Sequence, residues 1–149
     1  MSLFTVSVSS YEDKGYIVVI KEGKVIYEKD LLTINKDILT NSLNLLQGAF
    51  KFLQSVVKFK DVVKVEVKTE RLRGMLSEKK GVGIWKNSEK VYYTVLRIME
   101  TLPVDFIFFK TSNLKADKYY GGASQGTNAL KVNQENLISA KNMLDFFEN

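Results

Sequence analysis

The chain has no cysteine and no histidine, and only one proline and one tryptophan in 149 residues. Without cysteine there are no disulfides, thiolate nucleophiles or sulfur-ligated metals, and a reducing compartment is compatible. Without histidine there is no imidazole acid–base chemistry, no Ser-His triad and no His-ligated zinc. Any chemistry therefore falls to carboxylates, lysines and hydroxyls. No apolar run is long enough to span a bilayer, and the opening Met-Ser-Leu-Phe-Thr-Val-Ser-Val-Ser-Ser lacks the basic and apolar regions of a secretory signal. A soluble cytoplasmic protein without membrane association is expected.

What is present is 45% hydrophobic residues, enough for a chain of this length to bury a core as one domain over residues 1–149. The net charge of +5 is unevenly spread. Residues 51–97 carry twelve Lys or Arg against five Asp or Glu, whereas the segments on either side each carry five against six. A concentrated positive segment is the footprint of a polyanion partner; a solvated lysine-rich surface has the same composition. High Lys, Asn and Ile content with one proline also fits an AT-rich source such as a virus or phage.

Apolar periodicity orders the elements. Phe4 to Ser10 alternates as a strand, Gly15 opens a second, and the turn composition of Lys21-Glu-Gly-Lys24 leads into a third at Val25-Ile-Tyr-Glu-Lys. From Asn35 to Phe59, apolar residues return every three or four positions as in an amphipathic helix. Asp61 to Lys68 alternates as a fourth strand, and Thr69 begins a short helix. A basic loop spans Ser77 to Lys86, and Asn87 or Ser88 is placed to cap a helix that runs to Leu102, before Pro103. Val104 to Phe109 is apolar enough for a fifth strand buried on both faces. A glycine-rich link at Gly121 to Gly126 precedes a last helix over Gln134 to Phe147, so that residues 121–149 form a glycine-linked C-terminal helix. The order is βββαβα(α)βα.

Three stretches follow this order in a way that resembles the ribonuclease H family. Trp85-Lys-Asn-Ser-Glu-Lys, its helix, Val104-Asp-Phe-Ile-Phe-Phe-Lys and then Ala116-Asp117 are similar to that family's late helix, fifth strand and terminal "A-D-E" motif. Val65-Glu-Val-Lys-Thr69-Glu70 resembles its strand ending in "T-D-S", and Thr40-Asn-Ser-Leu-Asn-Leu-Leu its "T-N-N-x-x-E-L" helix start. The resemblance spans roughly residues 3 to 120. It implies an α/β fold with a five-stranded mixed sheet, an antiparallel meander plus two parallel strands, and flanking helices.

The resemblance also implies a site. In that family four carboxylates hold two Mg²⁺ ions about 3.5–4 Å apart around the scissile phosphate of an RNA–DNA hybrid. Here Glu70 stands at the fourth-strand position and Asp117 at the terminal one. The first-strand Asp falls on Ser9 or Ser7, the helix Glu on Asn44 or Leu45, and the loop His on Thr111 or Ser112. Glu12 and Asp13 follow the first strand and offer substitute acids. With two of four carboxylates gone, the site reads as degenerate, with Glu70 and Asp117 the only metal ligands of the old set.

The expected function is therefore a noncatalytic or weakly active module that binds nucleic acid through Lys68, Arg71, Arg73, Lys79, Lys80 and Lys86, with no resident cofactor. The alternatives are a Mg- or Mn-dependent endonuclease cleaving RNA–DNA hybrids, and a scaffold for a protein partner or a second copy. Other readings of the same residues remain: Glu70 beside Arg71 and Arg73 has the composition of a surface ion pair, and Asp117 could cap a helix. Trp85, Tyr92 and Tyr93 are candidates for base stacking or for the core. Gly81-Val-Gly83 lacks the remainder of a nucleotide-binding motif.

Overall fold

The computed structural model describes residues 1–11, 13–32, 37–81 and 86–124, with the side chains of residues 87 and 120–124 outside that description. The chain divides into two compact units, Met1–Leu114 and Lys115–Asn149. In the first unit the order is β1 (Leu3–Ser10), β2 (Lys14–Lys21), β3 (Lys24–Leu32), α1 (Ile38–Leu53), β4 (Val62–Val67), α2 (Glu70–Glu78), α3 (Lys86–Thr101) and β5 (Asp105–Lys110). One helix, α4 (Lys115–Ser124), is described in the second.

The five strands form one mixed sheet in the order β3-β2-β1-β4-β5. β1 and β2, and β2 and β3, pair antiparallel. β1 and β4, and β4 and β5, pair parallel. The turn between β2 and β3 places both Glu22 (φ 52°) and Gly23 (φ 80°) in the left-handed region, the two-residue geometry whose twist matches a hairpin.

Alternation assigns the faces. Phe4, Val6 and Val8 stand beside Val63 and Val65 of β4 and Ile17 and Val19 of β2, and all are buried. α1 and α3 cover this apolar face with Leu43, Leu46, Phe50 and Leu53 from one helix and Tyr92, Val95 and Met99 from the other. Each such side chain contributes about 1.5–3 kcal/mol of burial, which makes this layer the main source of stability. The ring of Phe50 meets Phe106 of β5 edge-on at 5.8 Å.

Four details depart from the sequence expectations. α1 ends at Leu53 rather than Phe59; short-range turns follow, and Lys60 (φ 71°) reverses the chain into β4. α3 starts at Lys86, so Asn87 and Ser88 lie inside it rather than capping it, and the Ser88 hydroxyl donates instead to Asp37 at the start of α1. β5 is not buried on both faces: it is an edge strand, and Ile107 and Phe109 are 52% and 44% exposed. Gly121 and Gly122 belong to α4 rather than to a link, and the helix expected over residues 134–147 lies outside the described residues.

Candidate functional site

Parallel neighbours β1 and β4 both end where α1 and α2 begin, and the carboxyl end of such strands is where α/β sheets usually place a site. At this end β1 offers hydroxyls. Ser7 stands beside Glu66 of β4, Ser9 beside Tyr16 of β2, and Ser10 beside Gly15.

α1 supplies an amide, a hydroxyl and an aliphatic group. Asn41 Nδ2 donates to the Tyr11 carbonyl at 3.2 Å, and Ser42 Oγ to Ser10 Oγ at 2.8 Å. Asn44 is exposed. Leu45 is buried against the start of β2, so closely that a Cβ on Gly15 would lie 2.8 Å from Leu45 Cδ1 and 3.2 Å from the Ser9 carbonyl. Of the two alternatives for the helix acid, Leu45 is therefore the one that packs at the end of β1, and it carries no donor.

The start of α1 is fixed by Asp37. Its carboxylate accepts from the amides of Leu39 and Thr40 at 3.1 and 3.3 Å, from Thr40 Oγ1 at 2.5 Å and from Ser88 Oγ of α3 at 3.0 Å. The Thr40 and Ser88 hydroxyls also bond each other. Partial burial pushes the Asp37 pKa up, but the hydrogen bonds from Thr40, Ser88 and Leu39 outweigh it and hold the carboxyl below the ordinary aspartate value.

The start of α2 differs. Thr69 caps it, its hydroxyl accepting from the Leu72 amide at 3.2 Å. Glu70 turns outward with its side chain 63% exposed, and Arg73 grips it through two hydrogen bonds of 2.8 and 2.5 Å. The Arg73 hydrogen bond is the main reason that the Glu70 pKa is lowered. Asp117 occupies the first turn of α4, inside that helix rather than at its cap, and belongs to the second unit. Asp13 is exposed in the turn after β1, and Glu12 lies outside the described residues. The two alternatives for the loop histidine are also located. Thr111 follows β5, where its amide donates to the Val67 carbonyl and its hydroxyl accepts from the Asn113 amide at 3.0 Å, while Ser112 is exposed.

Among the described residues no group of three or more Asp or Glu side chains could hold a metal ion. A hard divalent cation needs several charged oxygen ligands. Of the four positions that the family resemblance implies, only Glu70, already held by Arg73, and Asp117, in the other unit, carry a carboxylate, and a leucine and serines at the rest do not fit two Mg²⁺ ions. Two cations also stand here: Lys68 and Lys14 both lie over the Tyr11 ring, at 5.4 and 5.6 Å.

The remaining basic residues are placed as follows. Lys68 and Arg71 are exposed at the entry to α2. Arg73 is half-buried and committed to Glu70 and Ser77. Lys79 (φ 60°) caps the end of α2 and is exposed, as are Lys80 and Lys86. Tyr92 is fully buried, donates to the Met75 carbonyl at 2.6 Å and belongs to the core, whereas Tyr93 is 42% exposed. Trp85 lies outside the described residues.

Sequence reading passed over Glu66, which is 2% exposed and has Lys64 Nζ at 3.7 Å. Its signal was the alternation of β4, which sends Glu66 to the face opposite Val63, Val65 and Val67. The other buried acid among the described residues, Asp61, stands at the opposite end of β4 and accepts from the amides of Ser2 and Lys58, both at 2.8 Å. Among the described residues no helix is long and apolar enough to cross a membrane.

No family model and no curated protein matches the sequence. Solved structures do match. The N-terminal ribonuclease H domain of a Mycobacterium tuberculosis protein superposes with a TM-score of 0.63 at 9% identity, covering 79% of this chain and 90% of that one. LC11-RNase H1, solved in complex with an RNA/DNA hybrid, gives 0.58 at 13% identity over 79% and 92%. RNase H1 from the archaeon Halobacterium salinarum gives 0.57 at 8% identity over 74% and 86%. At such identities the likeness concerns the fold alone, and it agrees with the strand order, the pairing directions and the helix placement described above: this chain has a ribonuclease H-like fold.

Proposed function

We propose that this chain is a noncatalytic nucleic-acid-binding module, in which Lys68, Arg71, Lys79, Lys80 and Lys86 contact phosphates. The observation that carries the reading is the packing of Leu45 against Gly15, the residue of β2 that pairs with Ser10 at the end of β1. An aliphatic side chain fills the place from which a carboxylate would have to reach a metal at the end of β1. Among the described residues, the acids near that end do not converge there, since Glu66 is buried with Lys64 beside it and Glu70 is held by Arg73, whereas Lys68 and Arg71 are exposed and suited to phosphate oxygens. Arg73 belongs to the same stretch but contributes less, because Glu70 offsets its charge.

Anisotropy titrations with an RNA–DNA hybrid, a DNA duplex and a single strand test this. If the five cations each neutralise one phosphate, log K should fall with log salt at a slope of about −4.5 on duplexes. Absence of binding to all three at about 50 mM salt overturns the reading. Incubation with Mg²⁺ or Mn²⁺ should leave the hybrid intact. Cleavage that disappears in Glu70→Gln and Asp117→Asn would instead establish a nuclease, and a stable complex with a protein in place of nucleic acid would establish a scaffold.

A further inference from the structure

The starts of α1 and α2 do not close on each other. Between them, at the carboxyl ends of β1 and β4, lies a cavity of about 280 Å³. Its inner wall is Val8, Leu39 and Leu72, of which Val8 and Leu72 are 2% and 4% exposed, so the space reaches the core. Ile38 stands at its rim and stays 45% exposed, although it opens an otherwise core-facing helix. Protein interiors are close-packed, and side chains lining a void forgo dispersion contacts. A space of this size at a strand-end crevice is therefore informative. An apolar cavity of about 150 Å³ accepts benzene; this one has room for roughly two fused rings.

Its polar groups narrow the ligand. The Thr69 hydroxyl is engaged by the Leu72 amide, and Ser42 Oγ lies within hydrogen-bond distance of Ser10 Oγ and the Ile38 carbonyl. The inner wall thus gives a ligand little to hydrogen-bond with. Both charged residues in the lining are cations, Lys68 and Arg71; of the acids next to lining residues in sequence, Glu70 is turned away onto Arg73 and Asp37 is spent on the first-turn amides of α1 and on Ser88. An apolar interior under a cationic rim is complementary to one chemistry.

We infer that this cavity binds a small amphipathic anion: an aromatic or aliphatic body of about ten carbons seated against Val8, Leu39 and Leu72, with a single carboxylate or phosphate facing Lys68 and Arg71. The site shares Lys68 and Arg71 with the nucleic-acid reading but adds the apolar cavity behind them, so a small ligand tests it whether or not nucleic acid binds.

The probe is 2-naphthoate, titrated into the full chain and followed by methyl and amide NMR, with the neutral 2-naphthalenemethanol as its partner. Shifts should concentrate on Val8, Leu39 and Leu72, with Kd below about 1 mM for a ligand of this size. The naphthoate should bind about tenfold more tightly than the alcohol. Lys68→Glu should remove that tenfold preference while leaving the alcohol's affinity unchanged. Ile38→Trp, a change at an exposed rim position, should block both ligands, with an unaltered circular dichroism spectrum showing that the chain still folds. No cavity shifts at about 1 mM, shifts centred elsewhere, or equal affinity for acid and alcohol would each overturn the proposal.

Discussion

α1 and α2 both start with an acid and a threonine within four residues, and the two starts use these residues in opposite ways. At α1 the acid is the cap: Asp37 accepts two amides of the first turn, and Ser88 of α3 reaches in to complete the shell. At α2 the threonine is the cap, and Glu70 lies outward against Arg73. Composition alone does not separate these cases. What separates them is a third helix, because a hydroxyl from 51 residues further along turns one acid into a tie between α1 and α3, while Glu70 is bonded within its own helix and feels Lys110 of β5 only as a weaker electrostatic pull.

The largest consequence falls on Asp37. Replacing it by alanine removes the cap and strips an acceptor from the fully buried Ser88 hydroxyl, so Asp37→Ala should destabilise the fold by about 2 kcal/mol in urea unfolding. An asparagine at the same position would keep a capping oxygen without the charge, so Asp37→Asn should lose less than half as much. If alanine and asparagine are equally harmful, the tie to α3 is electrostatic rather than a matter of hydrogen bonding, and the contrast with α2 must be redrawn.

The same carboxylate sets a pH dependence. Its folded pKa is depressed, so its contribution is present above the unfolded value of about 3.9 and is lost as pH falls through the lower folded value. Wild-type stability should thus approach that of Asp37→Asn as pH drops below about 4, and the two should differ by a constant amount from about pH 5 to 7. A difference that persists unchanged to about pH 2 would show that the charge of Asp37 has no role.

The contrast also marks how far the sequence could be read. Phe4 to Ser10 and Val62 to Val67 alternate with period two, Gly15 to Ile20 is a short apolar run behind a glycine, and the stripe Leu43, Leu46, Phe50, Leu53 has the helical period, so the order of elements along the chain was legible, and the family resemblance turned that order into a fold. Three things were not, because each depends on partners distant in sequence. β5 has an apolar run that suits a central strand, yet it lies at the edge, since nothing in Phe106 to Phe109 tells which strands flank it. Ser88 has the right composition for a cap but is bound by Asp37. The choice between Asn44 and Leu45 turned on a one-residue shift, and only the packing of Leu45 on Gly15 decided which side chain meets the end of β1.

A middle-sized effect belongs to Thr69, the counterpart of Asp37. Its hydroxyl satisfies one amide, with no described partner from another helix, so Thr69→Ala should destabilise by about 1 kcal/mol, half the effect at Asp37. Thr69→Ser should restore nearly all of it, which urea unfolding of the pair would read directly. A loss as large as that of Asp37→Ala would mean that α2 is held at its start as firmly as α1, and that the cavity between them has two rigid walls rather than one.

The smallest effect is expected at Glu70, although family resemblance singles that residue out as a metal ligand. Its partner Arg73 is one turn away on the same helix, and exposed pairs of this kind contribute little because solvent screens them and two long side chains must be ordered. Glu70→Gln should leave the unfolding midpoint unchanged. Its visible consequence should instead appear in nucleic-acid binding, because it releases the Arg73 guanidinium from its acid and adds a net positive charge to the basic segment. Affinity for a DNA duplex should rise and the salt slope should steepen by about one unit. A carboxylate serving a metal would behave in the opposite way: its removal would weaken any Mg²⁺-dependent binding and leave the salt slope alone. The sign of that one change therefore distinguishes a surface ion pair at the start of α2 from a surviving ligand.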